Sequence, residues 1–135
     1  MKSILLFFML FSAWSLKAQT DTAQISKIDS GIYHKPDITP EYPGGQNAWA
    51  RYLQKNLRYP EEAQPKSIQG TVVVQFWVDS SGFSHDVTAI SGPEELREES
   101  IRVVKNVGRW ASAVCNGKRV NAWKSQPISY RLESQ

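Results

Sequence analysis

Residues 71–78 constrain the fold more than any other part of this 135-residue chain. Their sequence, TVVVQFWV, is rich in β-branched and aromatic residues, and apolar side chains recur at every second position. This period is typical of a β-strand that buries one face. The buried face is predicted to carry four side chains, Val72, Val74, Phe76 and Val78.

A second strand is predicted to return immediately, over residues 83–90. The intervening DSSG sequence at residues 79–82 is typical of a turn, so the two strands form an antiparallel hairpin. Phe83, Val87 and Ala89 are predicted to share its inner face.

An amphipathic helix is predicted on each side of the hairpin. The first covers residues 46–58, follows the glycine pair Gly44-Gly45 and ends before Pro60. The second begins near Pro93 and ends at Gly108. The apolar stripes consist of Trp49, Tyr52, Leu53 and Leu57 in the first helix, and of Leu96, Ser100, Val103, Val104 and Val107 in the second.

Asn116-Gly117 predicts a further tight hairpin turn. Strand character follows it and ends with Ile128, Tyr130 and Leu132 in alternation. The order α-β-β-α-β predicts an α+β fold with two helices packed on a small three-stranded antiparallel sheet. The final strand is predicted to be the sheet edge, since no further element is predicted after it.

The N-terminal residues 1–18 have the pattern of a secretory signal peptide, with Lys2, an apolar run and Ala18 before the cut. The run at residues 4–16 would span about 20 Å as a helix, less than the roughly 30 Å of a bilayer core. We therefore expect cleavage rather than an anchor, a short polar linker over residues 19–39, and one domain over residues 40–135.

Composition excludes several classes of function. A single cysteine, Cys115, allows no internal disulfide, cysteine-based zinc site or iron–sulfur cluster, and two histidines argue against a histidine-rich metal site. The net charge of +3 is not concentrated on one face, so nucleic-acid binding is not predicted. No metal or cofactor is expected.

No catalytic residues are predicted. His85 and Asp86 are adjacent on a strand and would point to opposite faces, and Ser84 has no nucleophile motif around it. Cys115 lies beside a turn, without a helix N-terminus to activate it. A small secreted enzyme using Ser84, His85 or Cys115 is kept only as an alternative. Trp77 and Trp123 could instead be aromatic residues of an interface.

An unpaired edge strand can bind an extended peptide through its main chain, which favours a protein-binding module. The ordered motifs of the chain resemble the C-terminal domain of the TonB family over residues 40–132. The motifs are Pro40-x-Tyr42-Pro43-Gly44-Gly45, Tyr52-Leu53, Asn56-Leu57-x-Tyr59-Pro60, Ile68-x-Gly70-x-Val72-x-Val74-x-Phe76-x-Val78, Gly82-Phe83, Leu96, Arg102-Val103-Val104, Trp110, Asn116-Gly117-Lys118-x-Val120 and Pro127.

The resemblance implies a non-catalytic periplasmic domain that adds an extended segment, the TonB box of an outer-membrane TonB-dependent receptor, to its last strand. In the family this contact is linked to energy-dependent transport across the outer membrane. The residues implied on this chain are Gln126, Ile128, Ser129, Tyr130, Arg131 and Leu132.

Two departures from the family keep alternatives open. The apolar run at residues 4–16 is shorter than a transmembrane helix, and the 19–39 segment is not a long proline-rich spacer. The alternatives are a minimal transducer anchored in the inner membrane with ExbB–ExbD, a free-standing envelope assembly protein, and a homodimer formed by strand exchange.

Overall fold

The computed structural model describes residues 31–132. The predicted signal peptide and residues 19–30 of the predicted linker lie outside this range. The elements are β1 (Ile32–Tyr33), α1 (Gly45–Asn56), β2 (Gly70–Val78), β3 (Ser84–Ser91), α2 (Glu94–Lys105), β4 (Ala113–Cys115) and β5 (Lys118–Tyr130).

The two predicted helices are present, each slightly shorter than the sequence pattern indicated. α1 begins after Gly44, whose φ of 95° is readily adopted by glycine, and ends two residues before the predicted end. α2 begins after Pro93 and carries Glu94 and Glu95 in its first turn, where the helix dipole favours acidic groups. The apolar stripes face the core as predicted.

The sheet contains five strands in the described part of the chain, so the predicted number of three is wrong. The missed strands are β1 and β4, which at two and three residues are too short to show a hydrophobic period. β1 pairs with β5 in parallel and the other pairings are antiparallel, which makes the sheet mixed. The α+β class with two helices on one sheet is confirmed.

β5 is not the outermost strand of the sheet, because the strand order is β1-β5-β2-β3. The prediction of a simple edge strand is therefore wrong for the first part of β5. Residues 118–120 pair with β4, and Asn121 and Ala122 pair with β1. The strand has two different parts, and only the second one lacks a neighbour on one side.

The core lies between the inner face of the sheet and the two helices. The four predicted β2 side chains and Leu96 are fully buried there, and Trp110 is only 3% exposed. Phe83, predicted to be on the inner face, is instead 46% exposed. Asp86, with a φ of 51°, lies at an irregularity in the β2–β3 register, and the alternation of β3 changes there.

Candidate partner-binding edge

The second part of β5 is paired on one side only. From Trp123 to Tyr130, β2 is the only strand that pairs with β5 within residues 31–132. The opposite side of this stretch, which we call the unpaired edge, therefore has backbone groups without a neighbouring strand. Such a row of groups is suited to the addition of an extended segment.

Pro127 indicates which backbone groups face the unpaired edge. It lies opposite Val73 of β2 and has no N–H to donate to the β2–β5 ladder. Proline is tolerated in a strand where its nitrogen faces away from the neighbouring strand. Because successive residues alternate in direction, Ser125 and Ser129 then direct their N–H and C=O groups to the unpaired edge.

The predicted binding residues differ in where their side chains lie. Gln126, Ile128 and Tyr130 are buried on the core face, whereas Ser129 is exposed on the opposite face. The remaining two, Arg131 and Leu132, follow the end of β5. The Leu132 N–H donates to Oε1 of Gln69 at 3.0 Å, which fixes the chain just beyond the strand.

Tyr130 anchors this part of β5 to α2. Its hydroxyl lies 2.8 Å from Oγ of Ser100, which itself donates to the carbonyl of Leu96 at 2.8 Å. Because the Ser100 hydroxyl already donates its only proton to the Leu96 carbonyl, the Tyr130 hydroxyl is the donor in its hydrogen bond to Ser100. Burial raises the pKa of Tyr130 to about 12, so the hydroxyl keeps its proton throughout the neutral range.

A small cavity of about 160 Å³ lies beside the unpaired edge. β5 contributes Lys124 and Gln126 to its wall, and the other lining residues come from the start of α1 and the segment before it. Burial lowers the pKa of Lys124, and the nearby Glu41 carboxylate opposes that shift to a smaller extent. This cavity could not be predicted from the sequence, because its two walls are far apart in the chain.

Of the residues of the enzyme alternative, Ser84 and His85 lie on the β2–β3 hairpin, whereas Cys115 lies on β4. His85 Nε2 lies 2.8 Å from Oδ2 of Asp79, and its ring stacks on Trp77 with centroids 4.1 Å apart. Trp77 Nε1 donates to Oδ2 of Asp86 at 2.9 Å, so His85 and Asp86 both contact one indole despite being adjacent. In a regular strand, adjacent side chains point to opposite faces and could not both reach the same indole. The irregular register and positive φ at Asp86 turn its side chain toward Trp77.

Asp79 organises the hairpin turn. Its Oδ1 accepts hydrogen bonds from the N–H groups of Ser81 and Phe83. Partial burial alone would raise the pKa of Asp79, but the hydrogen bonds from His85 and these amides outweigh it and lower that pKa. No hydrogen bond joins His85 to a serine or to Cys115 in the described part of the chain. These contacts are those of a structural turn.

No helix within residues 31–132 is long and apolar enough to cross a membrane. No group of histidine, cysteine, aspartate and glutamate side chains in the same range could hold a metal ion.

The architecture and the unpaired edge define a class of protein. It is a small α+β domain whose last strand is paired on one side only over residues 123–130. Residues 55–132, more than half of the chain, match the family described as Gram-negative bacterial TonB protein C-terminal. The chain belongs to this family, as the motifs of the sequence indicated. The family is associated with transport and is not a family of enzymes.

Curated relatives support the same assignment. Protein TonB of Pasteurella multocida (strain Pm70) is 26% identical over 118 residues, which cover 84% of this chain and 44% of that protein. Protein TonB of Vibrio cholerae serotype O1 is 28% identical over 82 residues, covering 59% and 33% respectively. The chain thus spans less than half the length of these relatives.

Solved structures resemble the fold at low identity. The solution structure of Helicobacter pylori TonB-CTD (residues 194–285) has a TM-score of 0.50 and 20% identity, and the match covers 66% of this chain and 95% of that one. The solution structure of Pseudomonas aeruginosa TonB CTD has a TM-score of 0.45 and 25% identity, with coverages of 58% and 80%.

Proposed function

We propose that this protein is a periplasmic protein-binding module that adds an extended segment of a partner to the unpaired edge of β5. The partner class is the outer-membrane TonB-dependent receptor, which would contribute its TonB box. The contact would be linked to energy-dependent transport across the outer membrane. Family membership supports the partner class, and the one-sided pairing of β5 supports the mode of binding.

The single observation that carries the proposal is the absence of a strand opposite residues 123–130 within the described range. A segment added there would form main-chain hydrogen bonds with β5, which give affinity without requiring particular side chains. β1 sets a limit to this contact, since it already pairs with Asn121 and Ala122. We therefore expect the partner segment to begin pairing at about Trp123.

Replacing Ser129 with proline tests the edge directly. Proline removes the backbone N–H that Ser129 presents to the unpaired edge, and Pro127 shows that this strand tolerates the residue at an equivalent position. We expect Ser129→Pro to weaken binding of a TonB-box peptide by at least about tenfold, on the order of one or two lost hydrogen bonds. Fluorescence anisotropy with a labelled peptide measures the affinity.

The matched control is Ser129→Ala, which removes the side chain but keeps the N–H and is expected to bind normally. Circular dichroism and urea unfolding establish that both variants are folded. Normal binding by a folded Ser129→Pro variant would contradict pairing at this edge. Loss of binding in both variants would place the interaction in the side chain rather than the main chain.

A further inference from the structure

The cavity beside the unpaired edge lies where an added strand would place its side chains. Lys124 and Gln126 alternate along β5 and direct their side chains to the same face. Their register partners in β2, Phe76 and Val74, do not line the cavity. The cavity is therefore on the side of β5 that faces away from β2, which is the side of the unpaired edge.

Lys124 carries a positive charge that no carboxylate neutralises at close range. Its side chain makes no ion pair within 4.0 Å and no hydrogen bond in the described part of the chain. Glu41 lines the same cavity and influences Lys124 electrostatically, but forms no ion pair with it within 4.0 Å. A partly buried ammonium group without a hydrogen-bonded partner is costly, and a carboxylate that enters the cavity would supply one.

The opposite wall of the cavity is the start of α1. Gly45 and Gln46 line it, and α1 has neither a side-chain cap nor an acidic residue in its first turn. The Gly45 N–H donates to the Tyr42 carbonyl, which leaves the following amides of the first turn uncapped. The helix dipole at this end favours negative charge, in the same sense as Lys124.

Gln126 is a further, independent sign of a ligand. It is only 7% exposed, and its side chain makes one long hydrogen bond, 3.4 Å from Nε2 to the Pro127 carbonyl. The second N–H of Nε2 has no hydrogen-bond partner among the described residues. The amide lines the cavity, so this N–H could donate to an incoming carboxylate.

We infer that this cavity selects partners by receiving an acidic side chain, aspartate or glutamate, from the strand added at the unpaired edge. The carboxylate would accept hydrogen bonds from Lys124 and from the first-turn amides of α1. The inference rests on the proposed function, because it names the side-chain chemistry that the added strand must carry next to Lys124. Glu41, which also lines the cavity, would oppose the incoming charge and moderate the preference.

Labelled peptides as long as the 123–130 stretch, made of alternating threonine and valine, test this inference. A single glutamate is moved along the peptide, and each peptide is compared with its glutamine counterpart. At one position we expect the glutamate peptide to bind the wild-type protein about tenfold more tightly, as a charge-assisted hydrogen bond would give. Lys124→Met, which keeps the aliphatic length, should bring this ratio close to one, chiefly by weakening the binding of the glutamate peptide.

Glu41→Gln is the complementary variant, and it should increase the glutamate-to-glutamine ratio because a repelling carboxylate is removed. Equal affinity for both peptides at every position, or an unchanged ratio in folded Lys124→Met, would overturn the inference while leaving edge pairing intact. Failure of every peptide to bind or to shift the amide resonances of Ser125, Ile128 and Ser129 would overturn the proposed function, and this inference with it.

Discussion

At the scale of single residues, Tyr130 connects the binding strand to α2. Its hydroxyl donates to Ser100, and its ring packs edge-to-face on Tyr59 with centroids 5.7 Å apart. The folded-state pKa of about 12 lies above the ordinary value of 10.0. The stability that depends on the protonated hydroxyl is therefore complete below pH 10 and is lost as the pH rises through about 12.

Tyr130→Phe should lower the free energy of unfolding by about 1 kcal/mol at neutral pH, because one buried hydrogen bond is lost. It should also reduce the alkaline loss of stability, to which a shift of this size contributes on the order of 3 kcal/mol. Tyr52, whose pKa burial also raises, remains in both proteins, so the alkaline loss should shrink rather than vanish. Urea unfolding at a series of pH values measures both effects, and an identical alkaline decline would contradict the role of Tyr130.

At the scale of elements, the β2–β3 hairpin depends on a close approach between its turn and the segment after α2. The backbone N–H of Trp110 donates to the Gly82 carbonyl at 2.8 Å. A Cβ added to Gly82 would lie 2.4 Å from the Trp110 carbonyl oxygen, and the φ of this glycine is 96°. Both the backbone conformation and the space therefore require glycine at this turn.

Gly82→Ala should destabilise the protein by about 2–4 kcal/mol, since it combines an unfavourable backbone conformation with a clash against Trp110. Gly117→Ala is the matched control, because this glycine also lies in a hairpin turn at positive φ but has no atom within 4 Å of an added Cβ. The control should lose only about 1 kcal/mol. Urea unfolding compares the two, and equal losses would show that the approach to Trp110 is unimportant.

The long elements could be predicted from sequence because each carries its own hydrophobic period. The inner face of β2 and the stripe of α2 followed directly from that period. β1 could not be predicted, since two residues have no period and their pairing depends on a distant part of β5. The exposure of Phe83 could not be predicted either, because it depends on the β2–β3 register. The limits of the unpaired edge depend on which distant strands pair with β5, which the sequence pattern does not show.

At the scale of the whole molecule, α1 is held in place through contacts with α2. Arg102 donates to both oxygens of Glu99 and, through Nη2, to the Asn56 carbonyl at 2.7 Å. The Arg58 N–H also donates to Glu99, at 2.5 Å, and the Tyr52 hydroxyl donates to the Val103 carbonyl at 2.7 Å. This network fixes the end of α1, whose other end lines the cavity beside the unpaired edge.

Glu99 is central to this network, because its side chain is only 11% exposed and accepts hydrogen bonds from both helix regions. Burial alone would raise the pKa of Glu99, but the hydrogen bonds from Arg102 and the Arg58 amide outweigh it and lower that pKa. The resulting stabilisation is present above the ordinary value of 4.5 and is lost as the pH falls through the lowered, folded-state pKa.

Glu99→Gln should therefore lower the free energy of unfolding by about 1–3 kcal/mol near neutral pH and flatten its decline in acid. The α1 amides should also exchange with solvent faster, because the helix loses its attachment to α2. Glu98→Gln, at an exposed neighbouring position, is the control and should change neither quantity. Hydrogen exchange and urea unfolding between pH 3 and 7 measure these effects, and an α1 protected as well as in the wild type would show that its apolar stripe alone holds it against the sheet.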